Sequence, residues 1–284
     1  MRAVADPAKL NPLTRKGPGL RMKLATIALL FCSVAANARD SDVEARILSA
    51  YHGLDQLPES AGALALVCGR PVGGEDGMPV VFSAQLDIDT VSPDAFAVET
   101  SSGDTVTPLC ATLRPAMESL ERRTVLLIGP FGSPDSPPLG VEVVGRLKDV
   151  HGNALAGLRT EAITALSAGP SLVFAERFAP GAPGLDEECP EAAAQAVLLT
   201  WEGGVTGPRG ADLAEAQRTA ISVVLENGGR VHPIVLGDVD RDNHVIACLA
   251  EASPAVSVNA TSGFFHDPGD DANPETRVDV ISKW

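Results

Sequence analysis

Short runs of apolar or alternating residues, cut at close intervals by Gly, Pro, Asn and Asp, fill most of the chain from residue 78 onward. In the first half they read MPVVFSAQL, AFAVETSSGDTVTPLCATL, RTVLLIGPF, GVEVVGRL and EAITALS. A period of two sends successive side chains to opposite faces of a strand, and the breakers mark turns. FAVET-SSG-DTVTP has the form of a hairpin with a glycine in its turn. Strands at this spacing, with no helix of a βαβ unit between them, predict an all-β protein of antiparallel sandwiches. One helix is predicted ahead of them. In SDVEARILSAYHGLDQLP, Val43, Ile47, Leu48 and Tyr51 recur at helical spacing, Ser41 or Asp42 can cap, and Pro58 stops the run.

The second half repeats the plan. AFAVETSSGDTVTPL (95–109) lies over AISVVLENGGRVHPI (220–234) without a gap. VVFS (80–83) matches VLLT (197–200), TVLLI matches HVIAC, and VEVVGRLKD roughly matches VSVNATSGFFHD. Four blocks in one order predict a tandem duplication or two copies of one fold. The Pro/Gly-rich acidic stretch APGAPGLDEE reads as a linker, placing the boundary close to residue 180. The expected organisation is a leader and signal peptide (1–38), a short helical segment (39–60), a first sandwich (61–178), a linker (179–190) and a second sandwich (191–284). GADLAEAQRTA reads as one helical turn or a polar loop before the second hairpin.

The start of the chain changes where the protein is expected to work. In MKLATIALLFCSVAANA (22–38), basic Arg21 and Lys23 precede an apolar run, and Ala36-Asn37-Ala38 is an A-x-A cleavage site. This is a secretory signal peptide, with Met22 as the expected start, so the protein is expected to be periplasmic, extracellular or at the cell surface. No later run is long and apolar enough to predict a membrane span. Six of the 22 Lys/Arg and one of the 37 Asp/Glu would leave with the leader, so 16 bases face 36 acids, a formal charge of −20. Such a surface repels nucleic acid and anionic lipid. Removing Cys32 leaves Cys68, Cys110, Cys189 and Cys248. An even count in an exported chain predicts disulfides, and no C-x-x-C pair suggests zinc or redox chemistry. One pair per repeat predicts Cys68–Cys110 and Cys189–Cys248. Eight Phe, two Trp and one Tyr make a core poor in aromatics, which such ties would support.

VVFSAQLDIDTVSPDAFAVET followed by VEVVGRLKDVHGNALAGL resembles the bacterial Ig-like domains of surface-layer and cell-wall proteins. The resemblance is carried by Phe82-Ser83, the Asp87–Thr90 loop, Phe96-Ala97-Val98, and the D-x-x-G-N-x-L turn from Asp149 to Leu155. It covers roughly residues 78–160 and is broken by the long insert PLCATLRPAMESLERR and by the cysteines. The second half matches weakly, with DPGDDANP where the D-x-x-G-N turn should stand. The whole chain also resembles uncharacterised exported bacterial proteins. The family implies a β-sandwich used as spacer or adhesion module, and supplies no catalytic residues.

Motifs of known chemistry are poor. The chain has no G-x-S-x-G elbow, H-E-x-x-H, Walker loop or dinucleotide fingerprint. His52, His151, His232, His244 and His266 leave a triad assembled by folding open. LGDVDRDNHV places Asp238, Asp240 and Asp242 at the first, third and fifth places of an EF-hand-like loop. Asn243 then stands where Gly is needed and Leu249 where the bidentate Glu is needed, so it is not an EF-hand. SGFFHDPGDDANPET adds Asp267, Asp270 and Asp271 on a second loop. Asx turns explain both loops; weak calcium binding shared between them is the sharper expectation. Phe264-Phe265 and Trp201 beside Gly203-Gly204 read as core residues or as aromatic contacts for a ligand, and Asn259-Ala260-Thr261 fits a glycosylation sequon. The expected role is therefore non-catalytic: an exported binding or structural module, with no resident cofactor, whose partner is a protein or cell-envelope component. The alternative is an extracytoplasmic hydrolase with its site at the domain junction.

Overall fold

The computed structural model describes residues 44–52, 54, 57, 62–179, 182, 188–237, 240 and 242–282. The expected signal peptide, Val43, Pro58, Asp238 and residues 180, 181 and 183–187 of the expected linker lie outside them. The protein is all-β in class, as its patterning predicts. Among the described residues no helix is long and apolar enough to cross a membrane.

The first half carries β1 (Ile47–His52), β2 (Asp76–Phe82), β3 (Phe96–Glu99), β4 (Thr105–Val106), β5 (Cys110–Thr112), β6 (Thr124–Gly129), β7 (Gly140–Val143), β8 (Arg159–Thr160) and β9 (Ile163–Ala165). A five-stranded sheet has the order β5-β6-β2-β1-β9, and a four-stranded sheet the order β4-β3-β7-β8. Alternation does the sorting: Phe96 and Val98 of β3 are buried while Ala97 and Glu99 are half-exposed. Met78, Val80, Phe82, Val125 and Leu127 of one sheet meet Phe96, Val98, Val141 and Val143 of the other in one core.

The second half carries β10 (Leu172–Phe178), β11 (Gln195–Trp201), β12 (Ile221–Leu225), β13 (Arg230–Val231), β14 (Val235–Gly237), β15 (His244–Leu249), β16 (Ala255–Ala260) and β17 (Thr276–Ser282). They form one eight-stranded sheet of order β13-β12-β16-β17-β10-β11-β15-β14. The sheet doubles back, since Val197, Leu199 and Trp201 share a core with Ile221, Val223, Val258 and Ala260 from its far end. β17 makes the turn: Thr276–Asp279 pair antiparallel with β16, and Val280–Ser282 pair parallel with β10.

Three expectations are corrected. Ile47–His52 is a strand, not part of a helix. It pairs with β2 on one side and β9 on the other, and Ser49 through His52 are buried. A strand covered on both faces loses its alternation, and the residual spacing imitates a helix. The sheets are mixed rather than antiparallel, because β1 lies parallel to β9 and β10 parallel to β17. Lastly, Leu172–Phe178, expected to close the first half, pairs with β11 and β17 of the second. The Pro/Gly-rich stretch falls between two paired neighbours, and residues 166–171 connect the halves instead. Among the described residues there are also two short α-helices: α1 (Gly62–Cys68), which no pattern predicted, and α2 (Glu215–Ala220), within the stretch read as a helical turn or loop. Cys68 is bonded to Cys110 and Cys189 to Cys248, the pairs the layout singles out.

Candidate functional site

A set of buried polar side chains lies where the two halves meet. Three carboxylates of the second half each accept a hydrogen bond from the first. Tyr51 on β1 donates its phenol to Asp267 Oδ2 (2.7 Å) and to the Leu166 carbonyl (3.0 Å). Thr164 on β9 donates to Glu202 Oε1 (2.9 Å), while the Ser171 amide occupies Glu202 Oε2 (3.2 Å). Arg123, just ahead of β6, pairs with Glu176 on β10 at 2.5 Å, with side-chain exposures of 0% and 1%.

Local sequence explains each position. A register shift between Leu172 and Phe174 turns β10 so that Leu172 and Ala175 stay in the second core. Phe174 and Glu176 then point together toward the first half. The Arg123 guanidinium lies over the Phe174 ring, 4.3 Å from its centroid, and donates to the Ser83 carbonyl (2.9 Å). Gly203 is needed beside Tyr51, because a Cβ there would meet the phenol ring at 2.9 Å.

Electrostatics follow from burial. The Tyr51 phenol is pushed well above its ordinary value, first by desolvation, then by the bond to Asp267 and the charges of Asp267, Glu202 and Asp271. Desolvation also raises Glu202, against the bonds from Thr164 and Ser171. His244, 1% exposed on β15, is pulled down to about 3 by burial and then by the Arg123 charge, with the Glu121 carbonyl opposing. Its Nδ1 lies 3.3 Å from Thr200 Oγ1.

The acids flagged in the sequence separate into different roles. Asp240 Oδ1 accepts from the Asp242 amide (3.2 Å), and Asp242 Oδ1 from the His244 amide (2.6 Å). Asp267 Oδ1 accepts from the amides of Gly269 and Asp271, at 2.8 and 2.9 Å. Asp270, with φ of 67°, accepts from the Arg209 amide (2.6 Å) and lies 3.0 Å from His266 Nδ1. Asp270 bonds across to another loop, whereas the Asp240, Asp242 and Asp267 contacts are Asx-turn geometries. Asp149 does the same in the D-x-x-G-N turn, accepting from His151 and Asn153 amides at 2.9 and 2.8 Å. Among the described residues, the carboxylates that approach as a set of three are Glu118, Glu121 and Asp242, with oxygens within 4.8 Å of one another. Asp240, Asp267, Asp270 and Asp271 are not in that set. A hydrogen bond with Glu121 is the main reason Glu118 is held below the ordinary glutamate range. Three such oxygens match divalent cations in donor type, and the geometry by itself assigns no ion.

Trp201 is fully buried, its ring centroid 4.5 Å from that of Phe265, and Phe264 packs at the rim of the same core. None of the three offers a ligand platform. His232 Nδ1 lies 2.7 Å from the Ile221 carbonyl. A shallow depression of about 270 Å³ lies between the loops around residues 100–106 and 130–136, where Ser, Thr and Asp104 mix with Val106, Pro130 and Gly132 and no histidine takes part. Sequence reasoning missed Tyr51, Arg123, Glu176, Glu202, Glu118 and Glu121. The one available signal was a charge inside an apolar run, Glu176 in SLVFAERF. No protein-family profile and no curated protein matches the chain.

Proposed function

We propose that the protein is an exported, non-catalytic structural or binding module of the cell envelope, built from two Ig-like β-sandwiches in tandem. The observation that carries this reading is the use of its buried polar groups. Tyr51, Arg123, Glu176, Glu202 and Asp267 are buried and spend their hydrogen bonds holding one half to the other. A hydrolase needs a histidine beside a nucleophile in reach of substrate. His244 is sealed in the junction, and His232 and His266 are engaged by a carbonyl and by Asp270.

Strand pairing supports the tandem reading. In the first half β5-β6-β2-β1 is matched in the second by β14-β15-β11-β10, and β4-β3-β7 by β13-β12-β16. The four sequence blocks that align fall on these corresponding strands. In each half the first strand runs parallel to the last, and an Asp-headed turn follows the strand that pairs with the hairpin. The resemblance of residues 78–160 to bacterial Ig-like domains supplies the spacer or adhesion role, and the two disulfides suit an oxidising compartment.

The test joins two measurements. The purified protein should be retained by a cell-envelope fraction of its own host and should turn over no ester, peptide or glycoside substrate. Turnover that purifies with the protein and is lost in His266→Ala or His232→Ala would replace this reading with the hydrolase.

A further inference from the structure

We propose that residues 113–123 are a built-in clamp that fixes the two halves as one rigid body. They lie between β5 and β6, inside the insert PLCATLRPAMESLERR that departs from the Ig-like pattern. The inference does not depend on the protein being a spacer.

The insert is anchored on both sides. Toward the first half, the Leu86 amide donates to the Arg122 carbonyl (2.6 Å) and Gln85 Nε2 to the Leu120 carbonyl (3.2 Å). Arg122 Nε braces the turn by donating to the Met117 carbonyl (3.0 Å). Its other side lies on the outer face of the second sheet. There Ala196 and Leu198 of β11 and Ile246 and Cys248 of β15 form a buried cluster, and Leu120 packs against it. The outer face of a sandwich sheet ordinarily meets water and carries polar residues. Here it is apolar and covered, which is why β11 and β15 are buried along their whole length.

At the clamp's end Arg123 completes the buried pair with Glu176, and the next residue, Thr124, accepts from Asn243 Nδ2 (2.8 Å). Glu118 and Glu121 come within 4.8 Å of Asp242. A hinge at residues 166–171 would have to withdraw Leu120 from its cluster and strip the Arg123 guanidinium from the buried Glu176 carboxylate, which is strongly disfavoured. The connection itself is held by Tyr51 on Leu166 and by Gly169, whose Cβ, if it had one, would sit 2.0 Å from the Ala272 carbonyl oxygen. Two beads on a short string thus become one stiff unit, and the insert that breaks the family pattern adds its grip to the Tyr51 and Thr164 bonds across the seam.

Distance measurement by pulsed electron paramagnetic resonance tests this on the full exported chain with both disulfides intact. Spin labels go on Ser102→Cys and Glu226→Cys, exposed turns of opposite halves. The otherwise unaltered protein should give one narrow distance distribution and one calorimetric transition. Replacing residues 114–120 by a Gly/Ser stretch of equal length should broaden the distribution at least twofold and split the melt in two. A broad distribution in the unaltered protein, or an unchanged width after replacement, overturns the proposal. Should the replacement not fold, Leu120→Ser is read by the same criterion, and an unchanged width there is equally fatal.

Discussion

Tyr51 is the only tyrosine in the chain, so its phenol can be followed alone. Its raised pKa comes from burial and from donation to a carboxylate, and both favour the neutral form in the folded state. That stabilisation is complete below the ordinary phenol value of about 10 and is lost as pH rises beyond it. No phenolate absorbance should therefore appear near pH ~10 until the protein unfolds; ordinary titration in the folded state would contradict the geometry. Tyr51→Phe removes the donor and leaves Asp267 Oδ2 without it, a cost of about 1–3 kcal/mol in the unfolding free energy measured with urea. Nothing local in ILSAYH announces this role, since the partner lies 216 residues away. The three-aspartate loop shows the converse. Asp240 and Asp242 accept from nearby amides as polar-turn residues do, but the carboxylates that approach Asp242 come from an insert more than a hundred positions earlier. Chemistry carried by neighbours in sequence is legible; chemistry assembled by packing is not.

At the scale of elements, runs with one wet face were read correctly. β3 and β7 alternate, and glycine-containing turns join β3 to β4 and β12 to β13. Elements covered on both sides were harder. β1 has helical spacing, and β10 pairs with β11 and β17 rather than with the strands before it, because pairing partners rather than periodicity decide such strands. The disulfides were legible because each half of the chain holds one pair. They close stretches of 42 and 59 residues, for which loop entropy gives about 4 kcal/mol each. Replacing either pair by Ser should lower the urea-derived stability by about 2–5 kcal/mol, and a loss below 1 would show that the unfolded chain is already restricted. The connection between the halves makes a sharper demand. Gly169 has φ of +69° and faces the Ala272 carbonyl. Gly169→Ala combines an unfavourable backbone with a clash and should cost more than about 2 kcal/mol. The control is Gly157→Ala, where φ is +92° but nothing lies within 4 Å; it should cost less.

For the whole molecule, the junction sets how stability responds to acid, through two groups that act in opposite senses. His244 is pulled down to about 3 by burial and by Arg123, while in the unfolded chain it titrates near its ordinary 6.5. Between those values the unfolded state takes up a proton that the folded state refuses. The stabilisation is present above pH ~6.5 and is lost progressively as pH falls toward 3. Glu202 is raised by burial, so the folded state holds its proton more tightly than the unfolded chain does. Its contribution is complete below pH ~4.5 and is lost as pH rises through the raised value. The histidine therefore weakens the fold on acidification, and Glu202 works against that fall. Urea midpoints at pH 3.5, 5 and 7 separate the two. His244→Gln should flatten the fall between pH 7 and pH 3.5, and Glu202→Gln should steepen it by removing the opposing group. The other acids are common to all three proteins and cancel in the differences. If His244→Gln left the slope unchanged, the imidazole would have to be reached by protons in the folded state, and the seam between the halves would then be open to water.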